Sequence, residues 1–278
     1  MASPLQDLVT LLDLEAIEVN IFRGQSPDEN RQRAFGGQVA GQALVAASRT
    51  IDEPGRHVHS LHAYFLRAGD PGVPILYEVD RIRDGKSFST RRVVARQDDG
   101  AILNLEASFQ KFEHSPDISN IVHQHDIMQP DEIEETSWST FLDRRTVPQS
   151  ALTGISREGA GRTAAWFRVK DSLGDNELLH RCALAYLSDD LPNESVVEAI
   201  PELLKASTAG GNFHASLDHT VWFHRPVRAD QWHLFEMSCL SYGGGRGLTQ
   251  GYVFAQDGTH VATISQETLV RIIPAANS

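Results

Sequence analysis

The chain has 278 residues, 41% of them hydrophobic and 22% charged, enough apolar material for one large domain or two of ordinary size. A formal net charge of −12 excludes a nucleic-acid partner, because phosphate backbones are gripped by clustered Lys and Arg. The two cysteines, Cys182 and Cys239, exclude a disulfide framework and a cysteine zinc site, and both read as small buried hydrophobes.

Residues 4–12, PLQDLVTLL, predict a short amphipathic helix with Pro4 near its start. The opening segment has no basic flank and carries Asp7, Asp13 and Glu15, so neither a signal peptide nor a membrane span is expected. With no peroxisomal address at the end, cytoplasm is the expected location. Residues 17–22 read as a strand and 23–33 as a polar loop. Residues 35–49 read as a helix in which Ala40, Ala43 and Ala47 make a smooth face for close approach to a curved sheet. Gly36 and Gly37 open that helix, where free backbone N–H groups suit a carbonyl oxygen or a phosphate, although a simple tight turn explains the pair equally well. Strand-like runs follow at 57–66, 74–83, 87–97 and 101–112, joined by turn signals such as Asp84-Gly85 and Asp98-Asp99-Gly100. A helix followed by an antiparallel meander is an α+β pattern, not a doubly wound one.

Residues 113–150 are acidic and Pro-bearing and read as a surface connector between an N-terminal unit, 1–112, and a C-terminal unit, 151–278. The second unit repeats the order: a strand at 163–169, a helix from 178 to about 189, an irregular stretch at 191–212, and strands from 216 onward, at 232–241, 247–256 and 260–272. Two echoes support duplication. Ser60-Leu61-His62 recurs at Ser216-Leu217-Asp218-His219, an offset of 216 − 60 = 156, and Gly100 of the first Gln-Asp-Asp-Gly recurs as Gly258, an offset of 258 − 100 = 158.

Three polar residues stand where the pattern calls for something else. Asp189 continues the stripe Leu179, Cys182, Ala183, Tyr186 at the end of its helix, where burial and the negative end of the macrodipole both raise a carboxyl pKa. Periodicity does not separate it from Asp190, and an Asp at a helix end is more often a solvated terminus. Gln266 interrupts the apolar face Ala262, Ile264, Val270, and a buried amide there must find partners, most simply a neighbouring backbone segment. Its counterpart Gln110 sits among Asn104, Glu106 and Ser108 on a more polar face. Ser216 opens the strand 216–223 without a GxSxG elbow. His219 falls on the apolar side of that strand and reads as a satisfied core residue. The twelve histidines show no zinc spacing, so no metal is expected. Arg67, Lys86, Arg225 and Arg246 could each meet a ligand phosphate, though surface ion pairing is the commoner role.

Together, RGQSPDENRQRAFGGQVAGQAL, HSLHAYFLRAGDP, RIRDGKSFSTRRVVARQ and ASFQ resemble the first half of the acyl-CoA thioesterase II family, and SLDHTVWFHRP with QDG…SQE its second half. The resemblance implies a double hotdog, in which each of two tandem units wraps a long helix in an antiparallel sheet. It implies a cofactor-free hydrolysis of fatty acyl-CoA by an Asp, a hydroxyl and a Gln, here Asp189, Ser216 and Gln266. It also implies an acyl-CoA substrate, for which the residue pattern offers Gly36, Gly37 and Arg246 as contacts, and assembly as a homodimer or homotetramer. A hotdog enoyl-CoA hydratase or dehydratase, or a non-catalytic acyl-CoA binder, are the competing readings. Residues 191–212 do not align with the family pattern, so acyl-chain preference stays open.

Overall fold

A computed structural model describes residues 7–27, 31–98, 100–123, 126–152 and 161–273. Pro4 and Asp99, used in the sequence reading, lie outside them. Helix α1 (Leu8–Leu12) starts where Asp7 accepts a hydrogen bond from the Thr10 N–H, a side-chain cap for an otherwise orphaned donor. Residues 17–22 are not one strand. The chain turns at Val19-Asn20 between β1 (Glu15–Glu18) and β2 (Ile21–Gly24), because Asn favours turn geometry over a strand interior.

Helix α2 (Gly36–Ser48) is buried on every side from Gly37 to Ala47, so it is a central helix and not a half-solvated one. The sheet covers one side and α3 (Glu177–Leu187) the other. It is the glycines of α2 that approach α3 closely. A Cβ on Gly37 would overlap the carbonyl oxygen of Tyr186, and one on Gly41, a turn later, would come within 3.1 Å of that of Cys182.

The remaining strands are β3 (Arg56–Phe65), β4 (Ile75–Asp84), β5 (Phe88–Gln97), β6 (Gly100–Lys111), β7 (Leu142–Thr146), β8 (Arg162–Val169), β9 (Asn212–Ser216), β10 (Asp218–Phe223), β11 (His233–Gly243), β12 (Arg246–Ala255) and β13 (His260–Ile272). They form one antiparallel sheet in the order β1-β2-β4-β5-β6-β3-β10-β13-β12-β11-β8-β7, with β9 also on β13. The α+β expectation holds. Strands of the first half occupy one side of the β3–β10 seam and strands of the second half the other. In that seam Thr220 pairs with His62 and His219 with Ala63, residues 220 − 62 = 158 and 219 − 63 = 156 apart. The repeat spacing of the sequence therefore puts a local twofold in this ladder, and the two copies meet there edge to edge.

Three expectations need correction. The 113–150 stretch is not only surface connector: β7 pairs with β8, and Phe141, Leu142 and Val147 are buried. Residues 191–212 are not irregular. They hold α4 (Pro192–Ala199) and α5 (Pro201–Thr208), each opened by a proline at a position where its missing N–H costs nothing. The strand expected from 216 onward is broken at Leu217, whose N–H donates to Glu267 O (2.9 Å) while its carbonyl accepts from Phe65 N (2.9 Å). Ser216 ends β9 and Asp218 begins β10.

Candidate active site

That break sets the site. It brings the end of β9 beside the middle of β13, where Ser216 lies opposite Thr268, next to Gln266. The chain leaving α3 through its C-cap Ser188 delivers Asp189 to the same point. Ser216 Oγ donates to Asp189 Oδ1 at 2.9 Å. Gln266 Nε2 donates to the same Oδ1 at 2.9 Å and to Ser216 Oγ at 2.9 Å. Asp189 and Gln266 are only 5% and 1% exposed, so this closed triangle is held in a low-dielectric setting where each bond is stronger than in water.

The Asp189 carboxyl is raised from 3.8 to about 6. Burial is the main cause and the adjacent Asp190 adds to it, opposed by the donors Ser216, Gln266 and the Gly37 N–H. Burial, one of the two causes expected from the sequence, is the main one. Asp189 lies past the C-cap of α3 and meets the start of α2, whose N–H groups favour an anion, so desolvation overcomes a stabilising helix terminus. Asp190 also lines the cleft but is held by other partners. It accepts from Trp138 Nε1 at 2.9 Å and pairs with the nearly buried Arg144 at 3.1 Å, which separates the two neighbours that periodicity left equivalent.

Asp189 and Ser216 open onto a cleft of about 920 Å³. One part of its wall is apolar, including Val39, Phe65, Ile102 and Leu217, and its lip carries Arg31, Arg33 and Arg67. Gly36 lines the cleft, and a Cβ there would overlap Asp189 Oδ2. Gly37 is buried behind it. Arg246 is not brought to this cleft: it stands at the β11–β12 hairpin, paired with Glu267 at 2.9 Å. Of the four cations considered from sequence only Arg67 reaches the cleft, and Arg225 instead pairs with Asp117. Arg31 and Arg33 sit in a polar loop with no periodic signal, so the sequence alone does not single them out. His219 is fully buried and bonded as expected, but its partners belong to the site. Its Nδ1 lies 2.5 Å from Gln266 Oε1 and its Nε2 2.7 Å from Ser188 Oγ. Burial lowers this imidazole to about 4. Among the described residues no three His, Cys, Asp or Glu side chains gather as metal ligands.

Residues 26–110 match the family described as acyl-CoA thioesterase N-terminal domain, and residues 120–270 the acyl-CoA thioesterase C-terminal domain. Acyl-coenzyme A thioesterase 8 of Mus musculus is 35% identical over 300 residues, covering 96% of this chain and 89% of its own. The crystal structure of the acyl-CoA thioesterase II TesB2 from Mycobacterium marinum superimposes with a TM-score of 0.84 at 42% identity, covering 95% of this chain and 98% of that one. A hot dog fold protein from Alicyclobacillus acidocaldarius, 20% identical, supports the architecture alone, with a TM-score of 0.76 over 94% of this chain and 97% of its own. Two central helices wrapped by a continuous antiparallel sheet, near-full-length similarity and both domain matches agree: the chain is a double hotdog protein that belongs to the acyl-CoA thioesterase II family.

Proposed function

We propose that this chain hydrolyses fatty acyl-CoA to free acid and CoA, with Asp189, Ser216 and Gln266 as the reacting group. The observation that carries the assignment is the convergence of two donors, Ser216 and Gln266, on one oxygen of a buried carboxylate at a cleft wall. With Oδ1 occupied by both donors, Oδ2, on the Gly36 side, is the oxygen left to receive a proton. A water held there loses its proton to Asp189 as its oxygen attacks the thioester carbonyl. The tetrahedral intermediate collapses with cleavage of the C–S bond. The proton on Asp189 passes to the leaving thiolate, so the site returns to its starting state. The developing oxyanion is met by N–H groups of the first turn of α2 other than that of Gly37, which Asp189 holds. The apolar wall takes the acyl chain, and Arg33 and Arg67 on the lip suit the CoA phosphates.

Thiol release from palmitoyl-CoA tests this reading. Loss of enoyl absorbance from crotonyl-CoA, without thiol release from either ester, overturns it in favour of a hydratase, and saturable binding without turnover favours a non-catalytic binder. A CoA-ester substrate fits work in the cytoplasm within fatty-acid metabolism, which cell fractionation checks.

A further inference from the structure

A glutamine amide holds oxygen and nitrogen at nearly equivalent places, so its orientation must be imposed by neighbours. At Gln266 the choice matters. Reversed, it would point a carbonyl oxygen at Asp189 Oδ1, an acceptor facing an acceptor, and Asp189 would lose one donor. An ionised Asp189 opposes this by itself, but a protonated Asp189 could donate to the reversed amide and Ser216 can both donate and accept, so neither holds the orientation in both states of the carboxyl. His219 Nδ1, 2.5 Å from Gln266 Oε1, is the group that discriminates, provided it carries the proton.

The other ring nitrogen decides that. His219 Nε2 lies 2.7 Å from Ser188 Oγ, and Ser188 is the residue just before Asp189. A buried neutral imidazole has one donor and one acceptor. If Ser188 donates its hydroxyl proton to Nε2, Nδ1 must carry the ring proton and donate to Gln266. The alternative, in which Ser188 donates to Ala185 O at 2.9 Å and accepts from Nε2, leaves Nδ1 and Oε1 facing each other as two acceptors. Besides Ser188 and Gln266, the charged group acting on His219 is Asp218. Leucine would fill this apolar strand face, shared with Val221 and Phe223, at lower desolvation cost.

We propose that Ser188 and His219 form a positioning relay that fixes the imidazole tautomer and, through it, the amide orientation of Gln266, keeping both Gln266 N–H donors on Asp189 and Ser216. The relay touches no substrate. It rests on the assignment of Asp189, Ser216 and Gln266 given above, and a test of the tautomer itself does not depend on activity.

Three variants and one spectrum test it. His219→Leu removes the donor to Oε1, so kcat for palmitoyl-CoA falls by roughly ten- to a hundredfold, the scale of one hydrogen bond to a charged group, while KM changes little. The acidic limb of the kcat profile moves to higher pH, because Asp189 keeps fewer donors. His219→Asn, which can place an amide N–H where Nδ1–H stood, restores most of kcat and the original limb. Ser188→Ala lowers kcat in the parent chain but has no further effect in His219→Asn, which has no Nε2 to serve. In the intact chain, ¹⁵N imidazole resonances of His219 report a protonated Nδ1 and a bare Nε2 at neutral pH. The relay is refuted by the opposite tautomer, by a His219→Leu enzyme with parental kcat and pH profile, or by an equal Ser188→Ala effect in both backgrounds. If the tautomer is as stated yet Asp189→Asn hydrolyses normally, the assignment of the reacting group fails and the relay is a structural bond only.

Discussion

Replacing Asp189 by Asn separates chemistry from stability. The side chain keeps its shape and one acceptor for Ser216 and Gln266 but can no longer take a proton, so kcat should fall by roughly two to four orders of magnitude, the usual scale for a general base. Stability moves the other way. A carboxyl raised from 3.8 to about 6 binds its proton more tightly in the folded chain, so the native state loses stability as pH climbs between those values and is level above them. At about 1.4 kcal/mol per pKa unit the charged form costs roughly 3 kcal/mol at neutral pH. The Asn variant escapes that cost, but its NH₂ puts a donor where the carboxylate has an acceptor, which returns about 1–3 kcal/mol. Tm at neutral pH should therefore be unchanged or modestly higher, and the fall in parental stability between about pH 4 and 6 should flatten. Thiol release and thermal unfolding across pH measure both. Parental kcat in the variant, or an undiminished pH slope of Tm, refutes the reasoning.

Because hydrolysis needs Asp189 ionised, kcat should be level above its pKa of about 6 and drop as pH falls through it, and a limb centred near the ordinary carboxylate value of 3.8 would show that burial does not govern the base. Gly36→Ala should cost turnover first, since its Cβ meets Asp189 Oδ2 and the Phe65 ring, whereas Gly37→Ala should cost folding, since its Cβ meets the backbone oxygen of Tyr186; kcat and Tm on both variants make the comparison. Asp190→Asn should leave turnover within a few-fold while lowering Tm, because it removes one partner of the nearly buried Arg144, and a larger kinetic loss than Asp189→Asn would move the site by one residue. We further expect a homodimer or homotetramer, which a monomer mass in light scattering at micromolar concentration would contradict.

Much of the fold was legible because turn chemistry and alternation agreed: the four runs of the first half differ from β3 to β6 by a residue or so at their ends. Strand β7 was not legible because two of its three buried residues are charged. Asp143 and Arg144 are buried through pairs with Arg168 and Asp190, contacts that no local pattern announces. Helices α4 and α5 did carry a signal, Pro192 and Pro201, which a reading centred on apolar stripes passes over. At the site, Asp189 and Gln266 were visible as polar residues on apolar faces, and Ser216 came from family resemblance alone. The bonding of His219 was foreseeable, but its partner was not, because 47 residues separate it from Gln266.

Duplication raises the question of why only one such constellation forms among the described residues. Position for position, the residue after the C-cap of α3 is Asp189, and the residue after the C-cap of α2, Arg49, is Thr50. Thr50 is fully buried, donates to Ala47 O at 2.7 Å and accepts from Arg91 Nε at 2.8 Å. Arg91, itself fully buried, also donates to Thr50 O at 3.0 Å. A guanidinium at that point replaces a proton acceptor with a permanent cation, and a carboxyl placed beside it would be held ionised and far below the range of a useful base. Gln110 has meanwhile turned to Glu113 at 3.3 Å. The first half has kept what the surviving site needs from across the interface: the glycine start of α2, whose missing side chains admit Asp189 and Tyr186, and Phe65 at the end of β3, which anchors the break at Leu217. One half supplies the reacting groups and the other the space and the helix terminus that hold them, so neither unit alone contains the site.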